Sequence, residues 1–457
     1  MDPRAYAQEQ RERFLEDLKS LIRIPSVSTL PEHYPDLARA ARWLEDRLAD
    51  LGLKSWIIES DSHPIVYAEW LGAPGRPTLL CYGHYDVQPP DPLDEWESPP
   101  FDPVVRGDNL YARGASDDKG QLMAEIFALE SWMRTAGRLP VNVKFFIEGE
   151  EEIGSPRIVG FIPKHKKLLA ADASLVCDGM FFAPEVPSLV TGLRGLVYTE
   201  VEAWGAARDL HSGQYGGAAP NAVDALARIV AGLKDRRGRV TIPRYYTSVK
   251  APSAQEREAW ERLPTSEEAY LKDLGADVAP GEEGYDIRDR IWARPTLEVH
   301  GIGGGFTGPG AKTVIPARAF AKISMRLVPD QRPKAVLKAF TKKVQQLTPP
   351  GVRTDVRVHS LSDPAVISPD HPAVRLAAQA LEEVFGRAPV YIREGGSVPV
   401  VAGFVNALKA PAVLMGFGLR DDRLHSPNEK FYLPNFYRGI DTIIRFLELL
   451  GERGPAA

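Results

Sequence analysis

Apolar segments that end in histidine or acidic residues recur along the chain. Those with the clearest endings are residues 78–82 before His84, residues 141–147 before the glutamate run 148–152, and residues 173–177 before Asp178. Helical patterns separate these strand-like segments, and strands alternating with helices predict an α/β fold with a mostly parallel sheet covered by helices. In such sheets the functional site lies beyond the carboxyl ends of the strands. We therefore expect these polar side chains to meet at one edge of the sheet.

The chain of 457 residues is too long for one ordinary core, so two domains are expected. The α/β pattern of residues 1–189 returns in residues 366–457. Between them, residues 190–365 alternate in the way of antiparallel strands and include a few helices, which predicts an inserted α+β domain. Such an insertion would allow His425 to join ligands that lie far earlier in the chain.

Charge and composition exclude several classes of function. The net charge is -5 and there is no basic stripe, so nucleic-acid binding is not expected. No apolar run approaches the roughly 18 residues that a membrane span needs, and the polar N-terminus lacks a signal-peptide core. Two cysteines, Cys81 and Cys177, are too few for a disulfide framework in a chain of this length. We expect a cytoplasmic protein with both cysteines buried in core strands.

Two histidines and several carboxylates at the predicted edge form a set that suits a pair of hydrolytic metal ions. A histidine that binds metal usually donates its second ring N–H to a carboxylate, and Asp86 could do this for His84 or could cap the next turn. Asp117 and Asp118 are adjacent anions, which repel unless a cation lies between them. Asp118 is expected to cap the following helix, whereas Asp117 could bridge two ions about 3.5–4 Å apart.

The glutamate run directly follows a core strand. Adjacent glutamates are usually an exposed acidic surface, but their attachment to a buried strand argues against that here. We predict divided labour, in which one glutamate binds metal while its neighbour takes a proton from the attacking water. His211 falls in the inserted domain, so it is predicted to polarise a substrate carbonyl rather than to bind metal.

Motifs spread over nearly the whole chain carry a resemblance to a known family. They are Gly-His-Tyr-Asp at 83–86, Ser-Asp-Asp-Lys-Gly at 116–120 and His-Ser-Pro-Asn-Glu at 425–429, with further matches at 148–155, 209–217, 310–316 and 393–397. In order and content they resemble the motifs of the M20 metallopeptidases, and most closely those of the dipeptidase branch that includes the carnosinases.

The resemblance implies a site with two divalent metal ions. Its ligands would be His84, Asp117 and Asp178 for one ion and Asp117, Glu152 and His425 for the other. Glu151 would be the general base and Asp86 the supporting carboxylate. Zinc is the first expectation, while manganese and cobalt accept the same mixed ligands.

The resemblance also implies how substrate is bound. His211 would reach into the active site of a partner subunit, and the inserted domain would be a lid that also forms the contact of a homodimer. Residues expected to hold the backbone and carboxylate of a short peptide are Thr313, Arg326, Gly396 and Ser397. An arginine suits the carboxylate because it can bind it through two parallel hydrogen bonds.

The leading hypothesis is hydrolysis of the peptide bond in dipeptides or short peptides by a water molecule activated at the two ions. A deacylase or desuccinylase of N-acyl amino acids would share the same fold and chemistry and would differ only in its pocket. The charged segment 251–290 favours the larger, dipeptidase-like members. A catalytically silent binding protein is the alternative from another class, and the presence of every matched position argues against it.

Overall fold

The computed structural model of the protein describes residues 1–60, 62–263, 266–396 and 398–453. The helices are α1 (Pro3–Glu9), α2 (Arg11–Ile22), α3 (Tyr34–Asp50), α4 (Lys119–Ala136), α5 (Ile158–Lys164), α6 (Lys166–Leu169), α7 (Ser212–Tyr215), α8 (Ala222–Gly232), α9 (Ala254–Glu261), α10 (Glu267–Leu274), α11 (Pro333–Leu347), α12 (Pro372–Phe385), α13 (Pro399–Gly403) and α14 (Leu433–Arg453). The strands are β1 (Lys54–Ile58), β2 (Ile65–Trp70), β3 (Thr78–His84), β4 (Val104–Arg106), β5 (Asn109–Tyr111), β6 (Asn142–Glu148), β7 (Ala173–Val176), β8 (Ser188–Leu193), β9 (Gly195–Trp204), β10 (Leu210–His211), β11 (Thr296–Gly304), β12 (Val314–Ile315), β13 (Arg318–Leu327), β14 (Arg353–Ser362), β15 (Ala365–Val366), β16 (Val390–Glu394), β17 (Ala412–Leu414) and β18 (Lys430–Tyr432).

Two units divide the chain. The first contains Met1–Thr191, Ile367–Ile392 and the described residues from Val398 onward. The second contains Gly192–Val366 together with residues 393–396. The second unit therefore interrupts the sequence of the first, and a short segment near residue 393 returns to it.

The main sheet of the first unit runs in the order β1-β2-β6-β3-β7-β17-β8. Its central strands, from β6 through β3 and β7 to β17, are parallel. The outer pairs β1–β2, β2–β6 and β17–β8 are antiparallel. The predicted mostly parallel sheet is thus confirmed at its centre. Because β3, β6 and β7 run side by side in one direction, the residues that follow them meet at the same edge.

Helices cover both faces of this sheet. Successive side chains on a strand point to opposite faces. On one face Tyr82 packs against Phe404, with ring centroids 5.8 Å apart, and Phe146 stacks on Phe161 of α5 at 5.7 Å. On the other face, a Cβ atom added to Gly83 would lie 2.8 Å from the side chain of Leu122 on α4. Strand β3 is consequently buried on both sides, which fixes the position of the residues at its end.

The second unit is built on an antiparallel sheet. Its strands run in the order β11-β13-β9-β14, and the residues of β9 alternate between buried and half-buried. Val197 and Val201 of β9 share a core with Leu226 of α8 and Phe340 of α11. The alternation predicted from the sequence for residues 190–365 is therefore confirmed in β9, as is the α+β character of this part of the chain.

Residues 393–396 belong to the second unit because two arginines hold them there. Arg393 donates to Glu256 Oε1 through Nε at 3.1 Å and through Nη2 at 2.5 Å. Arg194 Nε donates to the carbonyl oxygen of Gly395 at 3.1 Å. These contacts join positions far apart in sequence, so no local pattern indicated them.

The structure bears on the sequence expectations for membrane spans and for the two cysteines. Among the helices of the described ranges, none combines the length and the apolar character that crossing a membrane requires. Cys81 and Cys177 are both buried and neither forms a disulfide. The prediction that both are core residues is confirmed.

Candidate metal centre and active site

Asp117 lies between the two predicted histidine ligands. Its Oδ1 is 3.1 Å from His84 Nε2, and its Oδ2 is 3.1 Å from His425 Nε2. The carboxylate is almost fully buried. A carboxylate that faces two nitrogen ligands through its two different oxygens has the arrangement needed to bridge two ions.

Two groups of potential metal ligands share this aspartate. They are His84, Asp117 and Asp178 in the first group and Asp117, Glu152 and His425 in the second. Within each group the three ligand atoms lie within 4.8 Å of one another. Imidazole nitrogens and carboxylate oxygens suit zinc and also accept manganese or cobalt. The residues present therefore fit divalent metal ions, with Asp117 common to both positions.

The orientation of His84 is set by residues on both sides of it. Its ring Nδ1 lies 3.0 Å from the carbonyl oxygen of Asp86 and 3.4 Å from Asp86 Oδ1. This contact directs Nε2 toward Asp117, as expected for a ligand fixed by an outer partner. The backbone N–H of His84 donates to Asp118 Oδ2 at 3.1 Å.

The expectation that Asp118 caps the following helix is wrong. Asp118 occupies the residue before α4, but its side chain makes no capping hydrogen bond to that helix. Its carboxylate turns toward the end of β3 instead, because there it can accept the N–H of His84. The two adjacent aspartates thus serve different neighbours.

Asp86 also positions Glu151 and Glu152, which lie in the turn after β6. Its Oδ1 accepts the backbone N–H of Glu151 at 3.2 Å, and its Oδ2 accepts that of Glu152 at 3.1 Å. Both glutamates lie in a single turn of 3-10 helix after β6. One buried carboxylate therefore holds the end of β3 and the glutamate turn together.

The glutamate run divides into inward-facing and site-facing residues. Glu148 Oε1 accepts hydrogen bonds from Tyr82 Oη and Ser155 Oγ. Glu150 Oε1 accepts the backbone N–H of Arg157 at 2.9 Å. These two carboxylates stabilise the local fold. Glu152 instead lies 3.2 Å from His425 Nε2, so its carboxylate faces the second group of potential ligands.

Burial and close contacts shift the pKa values of the side chains in this cluster. Burial and the nearby Asp117 raise the pKa of Glu152 to about 7 and that of Asp178 to about 6. Hydrogen bonds with Asp117 and Glu152 raise the pKa of His425 to about 10. Burial alone would lower the pKa of His84, but hydrogen bonds with Asp117 and Asp86 raise it well above its usual value.

The pKa of Asp117 shifts in the opposite direction, downward. Burial would raise its pKa, yet hydrogen bonds from His425 and His84 hold the pKa of this carboxyl far below its usual range. Asp117 thus faces an imidazole at each of its two oxygens. Divalent ions at these two positions would supply positive charge on both sides of Asp117.

Gln88 is a residue near the site that sequence reasoning missed. Its Nε2 donates to Glu152 Oε2 at 2.8 Å and is 3.2 Å from the carbonyl oxygen of Glu152. This is the same oxygen that lies 3.2 Å from His425 Nε2, so the Gln88 amide helps to fix Glu152 beside that histidine. The available signal was its position two residues after Asp86, at the start of a proline-rich loop.

Those predicted substrate-binding residues that the structure describes lie in the second unit. His211 is exposed and pairs with Val314, and the N–H of Ser212 donates to the carbonyl oxygen of Thr313 at 3.1 Å. His211 and Thr313 are therefore neighbours. Ser397 lies outside the described residues.

Arg194 lies near Arg326 and binds the residue before Gly396. Arg326 is half-buried on β13, and Gly396 is exposed after β16. Arg194 binds Gly395, and its pKa falls to about 10 because it is buried and because Arg326 lies nearby. Two guanidinium groups in one partly buried region favour an anion such as a carboxylate.

Comparison with known proteins identifies the family. The model of peptidase family M20/M25/M40 matches residues 80–449. The Cys-Gly metallodipeptidase dug1 of Schizosaccharomyces pombe is 32% identical over 98% of this chain and 97% of its own length. The Beta-Ala-His dipeptidase of Homo sapiens is 30% identical over 96% of this chain and 90% of its own length. The crystal structure of the M20 family metallo-carboxypeptidase Sso-CP2 from Sulfolobus solfataricus has 34% identity and a TM-score of 0.89, covering 96% of this chain and 99% of that one. The chain belongs to the M20/M25/M40 family of metallopeptidases.

Proposed function

We propose that this protein is a dipeptidase that hydrolyses the peptide bond of dipeptides with the help of two divalent metal ions, zinc being the first candidate. The observation that carries the proposal is the position of Asp117 between His84 and His425. The similarity to two dipeptidases over nearly the whole chain supports the substrate class.

Each residue of the cluster has a role in this proposal. Bound divalent ions would polarise the scissile carbonyl and lower the pKa of a water molecule. Glu151 would take a proton from the attacking water and return it to the leaving amine. Burial raises the pKa of Glu151 well above its usual value, so the carboxyl can hold that proton between the two steps. Asp86 keeps Glu151 in place through the backbone bond described above.

The second unit would recognise the substrate. Arg326 would bind the terminal carboxylate of the dipeptide, together with Gly396 and Ser397. His211 would donate to the carbonyl oxygen as negative charge develops on it, and Thr313 would hold the substrate backbone beside it. A site that requires a free carboxylate would favour substrates with an unblocked C-terminus.

The first test is hydrolysis of a small substrate panel by chelator-treated protein with zinc, manganese or cobalt added back. The panel contains free dipeptides, N-blocked dipeptides, tripeptides, and acetyl- and succinyl-amino acids. We expect no activity without metal and cleavage of free dipeptides once metal is restored. The metal that restores most activity identifies the best candidate for the native ion.

Other outcomes of the panel would change the assignment. Cleavage of N-blocked dipeptides and tripeptides from the C-terminus would make the protein a carboxypeptidase, as the similarity to Sso-CP2 suggests for a second candidate. Cleavage of acyl-amino acids alone would make it a deacylase. Full activity after removal of metal would contradict the proposed chemistry itself.

Metal binding is expected to release protons. Hydrogen bonds with neighbouring carboxylates raise the pKa of both His84 and His425, and ligands must lose their protons to bind metal. Since the pKa of His425 is raised to about 10, metal affinity should rise with pH from about 6 to about 10. Calorimetric titrations in buffers with different ionisation enthalpies measure the number of protons released. An observed enthalpy that is the same in every buffer would contradict the charge state described here.

We also propose that the protein is a homodimer formed through the second unit, with His211 acting on the substrate bound by the partner subunit. His211 is exposed, as a residue that serves another subunit must be. Mixing inactive His211→Ala subunits with inactive Glu151→Gln subunits should restore part of the activity. Each hybrid dimer would then contain one site with both residues intact. If no ratio of the two variants recovers activity, His211 does not act across an interface.

A further inference from the structure

We propose that Glu429 is a positioning residue that holds the backbone of Asp117 where the shared metal ligand must lie, and that ties this loop to the segment carrying His425. The inference depends on the proposed metal site, but it concerns a residue that takes no part in metal binding. It explains how two ligands far apart in the sequence reach the same point.

The contacts of Glu429 converge on the loop that ends in Asp117. Its Oε1 accepts the backbone N–H of Ser116 at 3.0 Å and that of Asp117 at 3.1 Å. Its Oε2 accepts the backbone N–H of Gly114 at 2.9 Å and a hydrogen bond from Arg113 Nη1 at 2.7 Å. Backbone donors of one short loop therefore point at a single carboxylate. Such a loop has its conformation fixed before any ion binds.

Both Glu429 and Arg113 are buried, so their charges have no access to water. Glu429 has no exposed surface and Arg113 is only 1% exposed. An ionised carboxylate without partners is very unfavourable in such surroundings, so its charge must be met by well-placed donors. The donors here are the Arg113 guanidinium and the loop N–H groups. Both oxygens of Glu429 accept hydrogen bonds, whereas glutamine keeps one oxygen and places an NH₂ group at the other position. A glutamine here would therefore leave some of these buried donors facing another donor.

A second contact reinforces the same connection. Ser116 Oγ donates to Asp422 Oδ2 at 2.8 Å, and Lys430 Nζ lies 3.0 Å from Asp422 Oδ1. The segment from Asp422 to Lys430 therefore binds the loop on two sides. His425 lies within this segment, so the two histidine-facing oxygens of Asp117 are placed relative to it by Glu429 and Asp422.

Glu130 provides a matched control. It is also a buried glutamate of the first unit, 2% exposed, and it pairs with Arg13 and Arg47 at 2.5 Å each. It lies on α4 and contacts neither the loop nor the segment that carry the metal ligands. Replacement of Glu130 with Gln therefore reports the cost of removing a buried charge that has only a structural role.

The test compares Glu429→Gln and Glu130→Gln in metal-free protein titrated with Zn²⁺ or Co²⁺. Both variants should lose thermal stability. Only Glu429→Gln should bind metal more weakly, by roughly the 10- to 100-fold that loss of an outer partner typically causes, and only it should change the visible absorption spectrum of bound Co²⁺. Equal metal affinity and identical Co²⁺ spectra in both variants would overturn the proposal.

Hydrogen exchange tests the same point in the unmodified protein. In metal-free wild-type protein the amides of Gly114, Ser116 and Asp117 should exchange slowly, because they donate to Glu429. Fast exchange of these amides would overturn the proposal even if Glu429→Gln failed to fold. If the wild-type protein bound no metal, the proposed function would be wrong, while the exchange of these amides would still decide whether Glu429 holds the loop.

Discussion

Replacing Glu151 with Gln is expected to lower kcat by about 10²- to 10⁴-fold, the usual contribution of a general acid–base group, while metal binding stays near the wild-type level. The substitution keeps the size of the side chain but removes its ability to take a proton. The backbone bond from Glu151 to Asp86 is unaffected, so the turn keeps its geometry. Steady-state kinetics at saturating metal, together with the metal content of the purified variant, measures both parts of the prediction.

The neighbouring Glu150 gives the control for this experiment. Its Oε1 accepts the N–H groups of Arg157 and Ile158, and a glutamine amide oxygen can accept the same bonds. Glu150→Gln should therefore keep most of its turnover. Should Glu151→Gln retain turnover comparable to the wild type while Glu150→Gln loses it, the base would be Glu150 and the assignment of the turn would be wrong.

The sequence predicted the location of the candidate site because its residues follow core strands. His84 ends β3, Asp178 follows β7 and the glutamate run begins at the end of β6. An apolar strand has a clear sequence pattern, and the end of a parallel strand has a known place in such sheets. The expected meeting of these side chains is therefore a consequence of local patterns combined with one rule of topology.

Functions that depend on the direction of a side chain could not be predicted in this way. Four glutamates stand close together in residues 148–152, and only the structure separates Glu148 and Glu150, which bind the local backbone and neighbouring hydroxyls, from the others. Asp118 was expected to cap a helix and instead binds His84. Glu429 binds a loop more than 300 residues earlier in the chain, and no local pattern contains that contact.

Asp117→Asn is expected to weaken the binding of both metal ions together. Asp117 is the common member of both ligand groups, and the hydrogen bonds from His84 and His425 keep its pKa low, so its carboxyl carries a full negative charge. An amide offers one oxygen and a neutral group in its place. The loss of affinity should exceed the roughly 10- to 100-fold that follows the loss of an outer partner, and turnover should fall below detection at metal concentrations that saturate the wild type.

Asp118→Asn is the matched control, since the two residues are adjacent and Asp118 belongs to neither group of potential metal ligands. Burial and the nearby Asp178 raise the pKa of Asp118 well above its usual value, and the amide keeps the size and one acceptor oxygen of the carboxyl. Its oxygen can still accept the N–H of His84. Equilibrium dialysis followed by elemental analysis should find both ions in Asp118→Asn and neither in Asp117→Asn. The loss of one ion alone from Asp117→Asn would show that the carboxylate serves a single ion, and the bridging role would then have to be abandoned.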